Sequence, residues 1–140
     1  MQTGKSLPAS QRCPPEAAFL RIRISPTKAD CNPKGDIFGG WVMSQMDLAG
    51  AIAAAEITAT PISTVAVNDL QLSHPLFIED DVHFFAKVIA IGTTSITVSI
   101  SVYMLPKDAH DKAFCLIAEG IFVYVAVSAP GKKQAIVKPS

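Results

Sequence analysis

The chain has 140 residues, of which 49% are hydrophobic and 17% charged, the make-up of one globular domain with a substantial core. Twelve Lys and Arg balance twelve Asp and Glu, so no net charge draws the chain to nucleic acid or to an anionic membrane. The longest nearly apolar stretch, residues 41–57, is broken by Ser44, Gln45, Asp47 and Glu56 and falls short of the ~20 apolar residues that spanning a bilayer needs.

The first sixteen residues carry no apolar stretch of signal-peptide type, so the expected location is the cytoplasm. Cys13, Cys31 and Cys115 are odd in number and widely spaced. That pattern fits neither a disulfide framework nor a zinc site, so free thiols and no metal are expected.

In chain order, residues 1–15 hold Gly4, Pro8, Pro14 and Pro15 among polar residues and read as a tail. Residues 18–24 alternate weakly as a strand. Residues 40–58 are good helix formers, apolar nearly all round, with Pro61 just beyond, which predicts a buried helix. In residues 64–72 the alternation shifts: Val65 and Val67 are odd, Leu70 and Leu72 even. A bulge near Asn68 and Asp69 reconciles the two halves. Residues 82–91 and 115–127 are apolar on both faces and predict interior strands. Between them, residues 95–104 alternate without a slip, Ile96, Val98, Ile100, Val102 and Met104 against Ser95, Thr97, Ser99, Ser101 and Tyr103. That is an antiparallel strand with one wetter face. Residues 129–140, with Pro130, Gly131 and Pro139, read as a second tail. One domain over residues 16–128 therefore consists of a mostly antiparallel sheet wrapped around one long helix, an α+β arrangement. So small a sheet leaves apolar surface bare and implies at least a dimer.

Asp47 is the anomaly. A carboxylate between Met46 and Leu48 in an apolar helix needs compensation for lost hydration, and a contact with water or a partner chain's backbone would also supply it. Small residues, Gly50, Ala51 and Ala54, run beside it. The approach to the helix, Asn32 to Trp41, ends in Gly39 and Gly40, where bare amides and the positive end of the helix dipole suit a developing oxyanion. Gly40 and Asp47 are seven residues apart, roughly 10 Å along the axis, too far to serve one carbonyl carbon. Two such helices packed antiparallel across a twofold axis would bring each helix start to the other chain's Asp47. A lone carboxylate with amide donors suits thioester hydrolysis, whose thiolate leaves without strong acid help. Asp47 either activates water or attacks directly to form an anhydride, and Asn32 orients water or the carbonyl.

At residues 32–50, NPKGDIFGGWVMSQMDLAG, the chain resembles the YciA-like bacterial acyl-CoA thioesterases of the hotdog superfamily, and the resemblance extends over residues 20–127. It implies a hotdog fold, double-hotdog dimers assembled as a trimer of dimers, and cleavage of acyl-CoA, a step of fatty acid metabolism, to free acid and coenzyme A. It puts the catalytic aspartate on Asp47, the asparagine on Asn32 and the helix-start glycines on Gly39 and Gly40. Coenzyme A enters as part of substrate and product, and no separate cofactor is expected. The turn Gly92, Thr93, Thr94, Ser95 lies close to the bound coenzyme in similar proteins and offers donors to phosphate or pantetheine. Lys132 and Lys133 could neutralise phosphates, with Arg21 and Arg23 as weaker candidates. Two other readings remain. A hydroxyacyl dehydratase wants a histidine that residues 32–58 lack. A non-catalytic acyl-CoA-binding module has no use for an intact Asp47 and Asn32.

Overall fold

A computed structural model describes residues 13–107 and 113–140; most of the N-terminal tail and His110 lie outside the described residues. One α-helix, α1 (Gly39–Ala55), packs against strands β1 (Leu20–Ile24), β2 (Ile62–Leu72), β3 (Asp81–Ile91), β4 (Ser95–Leu105) and β5 (Cys115–Ala129). The strands are antiparallel in the order β1-β3-β4-β5-β2, and the two-residue β6 (Lys132–Lys133) pairs with the end of β5. This is the hotdog arrangement expected from the alternation of the strands and the length of the helix.

The pattern in β4 carries the core. Ile96, Val98, Ile100 and Val102 are almost wholly buried under the helix, while Ser95, Thr97, Ser99 and Ser101 are half-exposed on the outer face. From the helix, Val42, Met46, Ala49, Gly50, Ala53 and Ala54 face the sheet. A second, smaller apolar cluster, Phe85, Tyr103 and Leu116 with Phe19, Leu20 and Phe114, sits apart from this core. There residues 17–19 form a 3₁₀ turn, with Phe19 N–H donating to Glu16 C=O, so the first strand starts at Leu20 instead of residue 18.

Three further differences have physical causes. The helix is not buried all round: Met43, Leu48 and Ile52 are 38%, 54% and 44% exposed, because a five-stranded sheet covers only one side of a helix. It also ends three residues early. Thr58 Oγ accepts from the Val137 and Thr60 amides and donates to Val137 C=O, and these bonds compete with helical ones. The segment after residue 128 is stitched down. Gly131 turns the chain at φ +75°, a left-handed conformation that glycine adopts freely. Gln134 N–H then donates to Ala126 C=O and Ile136 N–H to Thr93 C=O, and Val137 C=O accepts from Ala59 N–H. No helix among the described residues is long and apolar enough to cross a membrane.

Candidate active site

The loop before α1 is a closed knot. Cys31 and Ile37 form a bridge, Asn32 N–H donates to Asp36 C=O, Gly35 N–H donates to Asn32 C=O, and Gly35 takes φ +99°. The Asn32 side chain serves this knot, its Oδ1 accepting from Lys34 N–H at 2.8 Å. Ile37 N–H and Phe38 N–H reach Leu76 C=O and Asp30 C=O, which fixes where the helix begins. Phe38 occupies the cap position with no side-chain cap; Trp41 N–H donates to Phe38 C=O, and the Gly39 and Gly40 amides before it are left without a capping oxygen.

The two glycines differ. A Cβ on Gly39 would sit 3.0 Å from Leu72 Cδ1, whereas one on Gly40 would meet nothing within 4 Å. Gly39 is therefore a packing glycine. Gly40 opens into a recess of about 360 Å³ lined by Met43, Asp47, Thr64, Val67, Leu70 and Phe122, among others.

Asp47 lines that same recess, half-buried. Its Oδ1 accepts the Thr64 hydroxyl at 2.7 Å, and its main-chain carbonyl accepts the Tyr124 hydroxyl at 2.8 Å. A hydrogen bond to a charged group contributes about 1.5–3 kcal/mol, which offsets much of the cost of partial burial. Thr64 escapes a simple alternation count. The β2–β5 register shifts between Thr64 and Ala66 as well as between Asn68 and Gln71, so the expected bulge near residue 68 is present and a second one precedes it. The first turns even-numbered Thr64 and odd-numbered Val67 to the same recess.

The structure thus joins Gly40, Asp47 and Thr64 within one chain, and leaves Gly39 and Asn32 outside their recess. The Gly92 to Ser95 turn closes through Gly92 N–H to Ser95 C=O, and its Thr93 and Thr94 carbonyls accept from Ile136 and Ala126. Exposed Lys132 and Lys133 pair beside it against the end of β5. Ser63, Val125 and Ser95 are successive register partners, so this turn lies at the Thr64 end of the sheet, two strand spacings or roughly 10 Å away.

The weaker basic candidates are engaged elsewhere. Arg21 donates to Ala86 C=O and Glu56; Arg23 is bidentate on Asp81. All three cysteines are free thiols, with burial pushing the Cys115 thiol up. Among the described residues, no three His, Cys, Asp or Glu side chains converge as metal ligands.

One long helix packed against an antiparallel sheet in the order β1-β3-β4-β5-β2 is the hotdog class of fold. The model of the thioesterase superfamily matches residues 34–106. The Escherichia coli K12 acyl-CoA thioester hydrolase YciA is 39% identical over 122 residues, 84% of this chain and 89% of its own. The hexameric thioesterase y2039 from Yersinia pestis superposes with a TM-score of 0.78 at 38% identity, covering 86% of this chain and 96% of that one. A hexameric hotdog fold thioesterase of Campylobacter jejuni gives 0.78 at 35%, covering 84% and 90%. The chain belongs to the thioesterase superfamily, in its YciA-like group.

Proposed function

We infer that the chain hydrolyses acyl-CoA thioesters to a free carboxylic acid and coenzyme A. The observation that carries this reading is Asp47, a carboxylate held by the Thr64 hydroxyl rather than by a cation, on an open recess that begins at Gly40. That carboxylate stands on the recess with a single hydroxyl on one of its oxygens. It takes a proton from water that attacks the thioester carbon, or attacks that carbon itself and is freed by water from the anhydride. Amides at a helix start receive the developing oxyanion, and the C–S bond breaks to release the thiolate.

The distance along α1 from Gly40 to Asp47 supports giving these two roles to different protomers, although both residues line one recess of a single chain. The bare surface fits that assignment: Met43 and Leu48 on the helix and Val65 and Val67 on edge strand β2 are 38–54% exposed. A twofold dimer pairing these edges covers them and brings one protomer's helix start, with its Asn32 loop, to the partner's Asp47. Such dimers assemble as trimers of dimers, in keeping with the hexameric relatives. The Gly92–Ser95 turn and Lys132 and Lys133 then serve coenzyme A, by backbone and hydroxyl donors and by phosphate neutralisation.

The test is release of free thiol from acetyl-, butyryl- and longer acyl-CoA by wild type beside Asp47→Asn. Turnover by wild type and a loss of about 10²–10⁴-fold in the variant are expected. Binding of acyl-CoA without thiol release by wild type would make the chain a binding module instead, and undiminished turnover in Asp47→Asn would remove Asp47 from the chemistry.

A further inference from the structure

Thr64 on β2 and Tyr124 on β5 are direct register partners, and such partners point to one face of an antiparallel pair. Both hydroxyls end on the same helical residue, Thr64 on the Asp47 carboxylate at 2.7 Å and Tyr124 on the Asp47 carbonyl at 2.8 Å. That carbonyl already has a helical donor four residues on, so the phenol fills its second lone pair without being needed to satisfy the helix. Tyr124 is 1% exposed. It reaches the helix backbone only because residue 50 is glycine; a Cβ there would collide with the Tyr124 hydroxyl and sit 2.8 Å from Ile100 Cδ1.

We propose that Tyr124 is a positioning residue for Asp47: through the gap left by Gly50 it fixes the height and rotation of α1 at the catalytic turn, while Thr64 fixes the carboxylate on that turn. The proposal rests on Asp47 being the catalytic carboxylate. Two adjacent strands then hold one residue at both of its ends. A base that must sit within a fraction of an ångström of its water or carbonyl loses up to about 10²-fold for a 1 Å displacement, and beyond Met46 the buried face of the helix is Ala49, Gly50, Ala53 and Ala54, which offer little bulk to stop that turn sliding. Burial, and in second place the negative charge of Asp47, hold the phenol far above its ordinary pKa, so it remains a donor throughout the working range of pH.

The experiment compares wild type, Tyr124→Phe, Thr64→Val and the double variant, each normalised to folded protein. Tyr124→Phe keeps the ring and is expected to lose about tenfold in kcat with KM within about twofold of wild type. A hydroxyl that merely satisfied the core would lower Tm and leave kcat unchanged, which would overturn the proposal. Because both hydroxyls hold one residue, the double variant is expected to lose less than the product of the single losses; losses that multiply in full would also count against it. A second readout needs no turnover. The ¹³C carboxyl resonance of Asp47, assigned by its disappearance in Asp47→Asn, is expected to move and broaden in Tyr124→Phe, and an unmoved resonance would overturn the proposal. A wild type inert toward every acyl-CoA would sink the hydrolase reading alone, and the resonance would still decide whether Tyr124 holds Asp47.

Discussion

Asp47 and Asp81 are both engaged by polar side chains, and they are built for opposite ends. Asp81, at the start of β3, receives both nitrogens of a bidentate Arg23 at 3.0 and 2.8 Å, and His83 Nε2 lies 3.0 Å from its Oδ1. It looks at first like the more chemical site, an acid beside a histidine. Yet the hydrogen bond from Arg23 holds its carboxyl below the usual range, which makes it a poorer base, and His83 is wedged among Phe85 and Phe114. Asp47 has the Thr64 hydroxyl on its carboxylate, the Tyr124 phenol on its main-chain carbonyl, no cationic partner among the described residues, and an open recess in front of it. A bidentate guanidinium occupies both oxygens of the Asp81 carboxylate, whereas the Thr64 hydroxyl takes one oxygen of Asp47. The nature of the partner, more than the presence of a histidine, separates the structural acid from the one proposed to be catalytic.

Paired substitutions break this comparison most directly. Asp47→Asn is expected to lower kcat by about 10²–10⁴-fold with Tm little changed. Asp81→Asn is expected to leave kcat alone and to lower Tm only slightly, since the Arg23 side chain is 63% exposed and such pairs are weak. Thiol-release kinetics and thermal melts on both variants check the contrast, and a large kcat loss in Asp81→Asn would abolish it.

Next in size is the consequence of a shared site. Val65, 52% exposed on edge strand β2, is not among the residues around Asp47. Val65→Lys puts a charge on an edge that would otherwise pair, and is expected to give a folded monomer with little turnover. Sedimentation alongside the thiol assay tests this; an active monomer would place the whole site within one chain. A smaller effect separates the two glycines. Gly40→Ala meets open space and is expected to hold Tm while lowering kcat by about tenfold or more, as its methyl group screens the helix amides. Gly39→Ala, 3.0 Å from Leu72 Cδ1, is expected to act on Tm first, because Leu72 must give way.

Much of this was legible in the sequence because it was written in side-chain pattern. The clean alternation of residues 95–104 places β4, and a charged residue inside an apolar helix singles out Asp47. What escaped has no such pattern. Thr64 reads as a plain outward residue of a regular strand until a bulge puts it, still exposed, on the recess beside Asp47, and bulges are set by neighbouring strands. Tyr124 reads as core, which it is; its hydroxyl matters because Gly50, far away in sequence, leaves room for it. The stitching of residues 132–137 uses main-chain bonds to Ala126, Thr93 and Ala59, and main-chain bonds leave little trace in composition. The exposed stripe of Met43, Leu48 and Ile52 depends on how far a small sheet reaches around a helix, which a hydropathy pattern does not encode.

The smallest effect sharpens the comparison through pH. Burial holds the His83 pKa below its ordinary 6.5, against the pull of Asp81 and with Arg23 acting in the same direction as burial. Unfolding frees the imidazole to bind a proton once the pH drops below 6.5. The unfolded state then carries more protons than the native one, and stability falls as the pH falls through that window. Above 6.5 both states hold a neutral ring and the slope vanishes. Asp81 acts in the same sense but lower, since its carboxyl ordinarily titrates near 3.8 and Arg23 holds it down further. The variant His83→Phe keeps an aromatic ring against Phe114, at a centroid distance of 4.9 Å in the wild type, and removes the titration. It is expected to flatten Tm just below about pH 6.5, to leave the later decline near pH 4, and to leave the pH profile of kcat unchanged. A shift in that kcat profile would join the two regions that the structure keeps apart; an unaltered Tm slope would mean that His83 is not what acid attacks first.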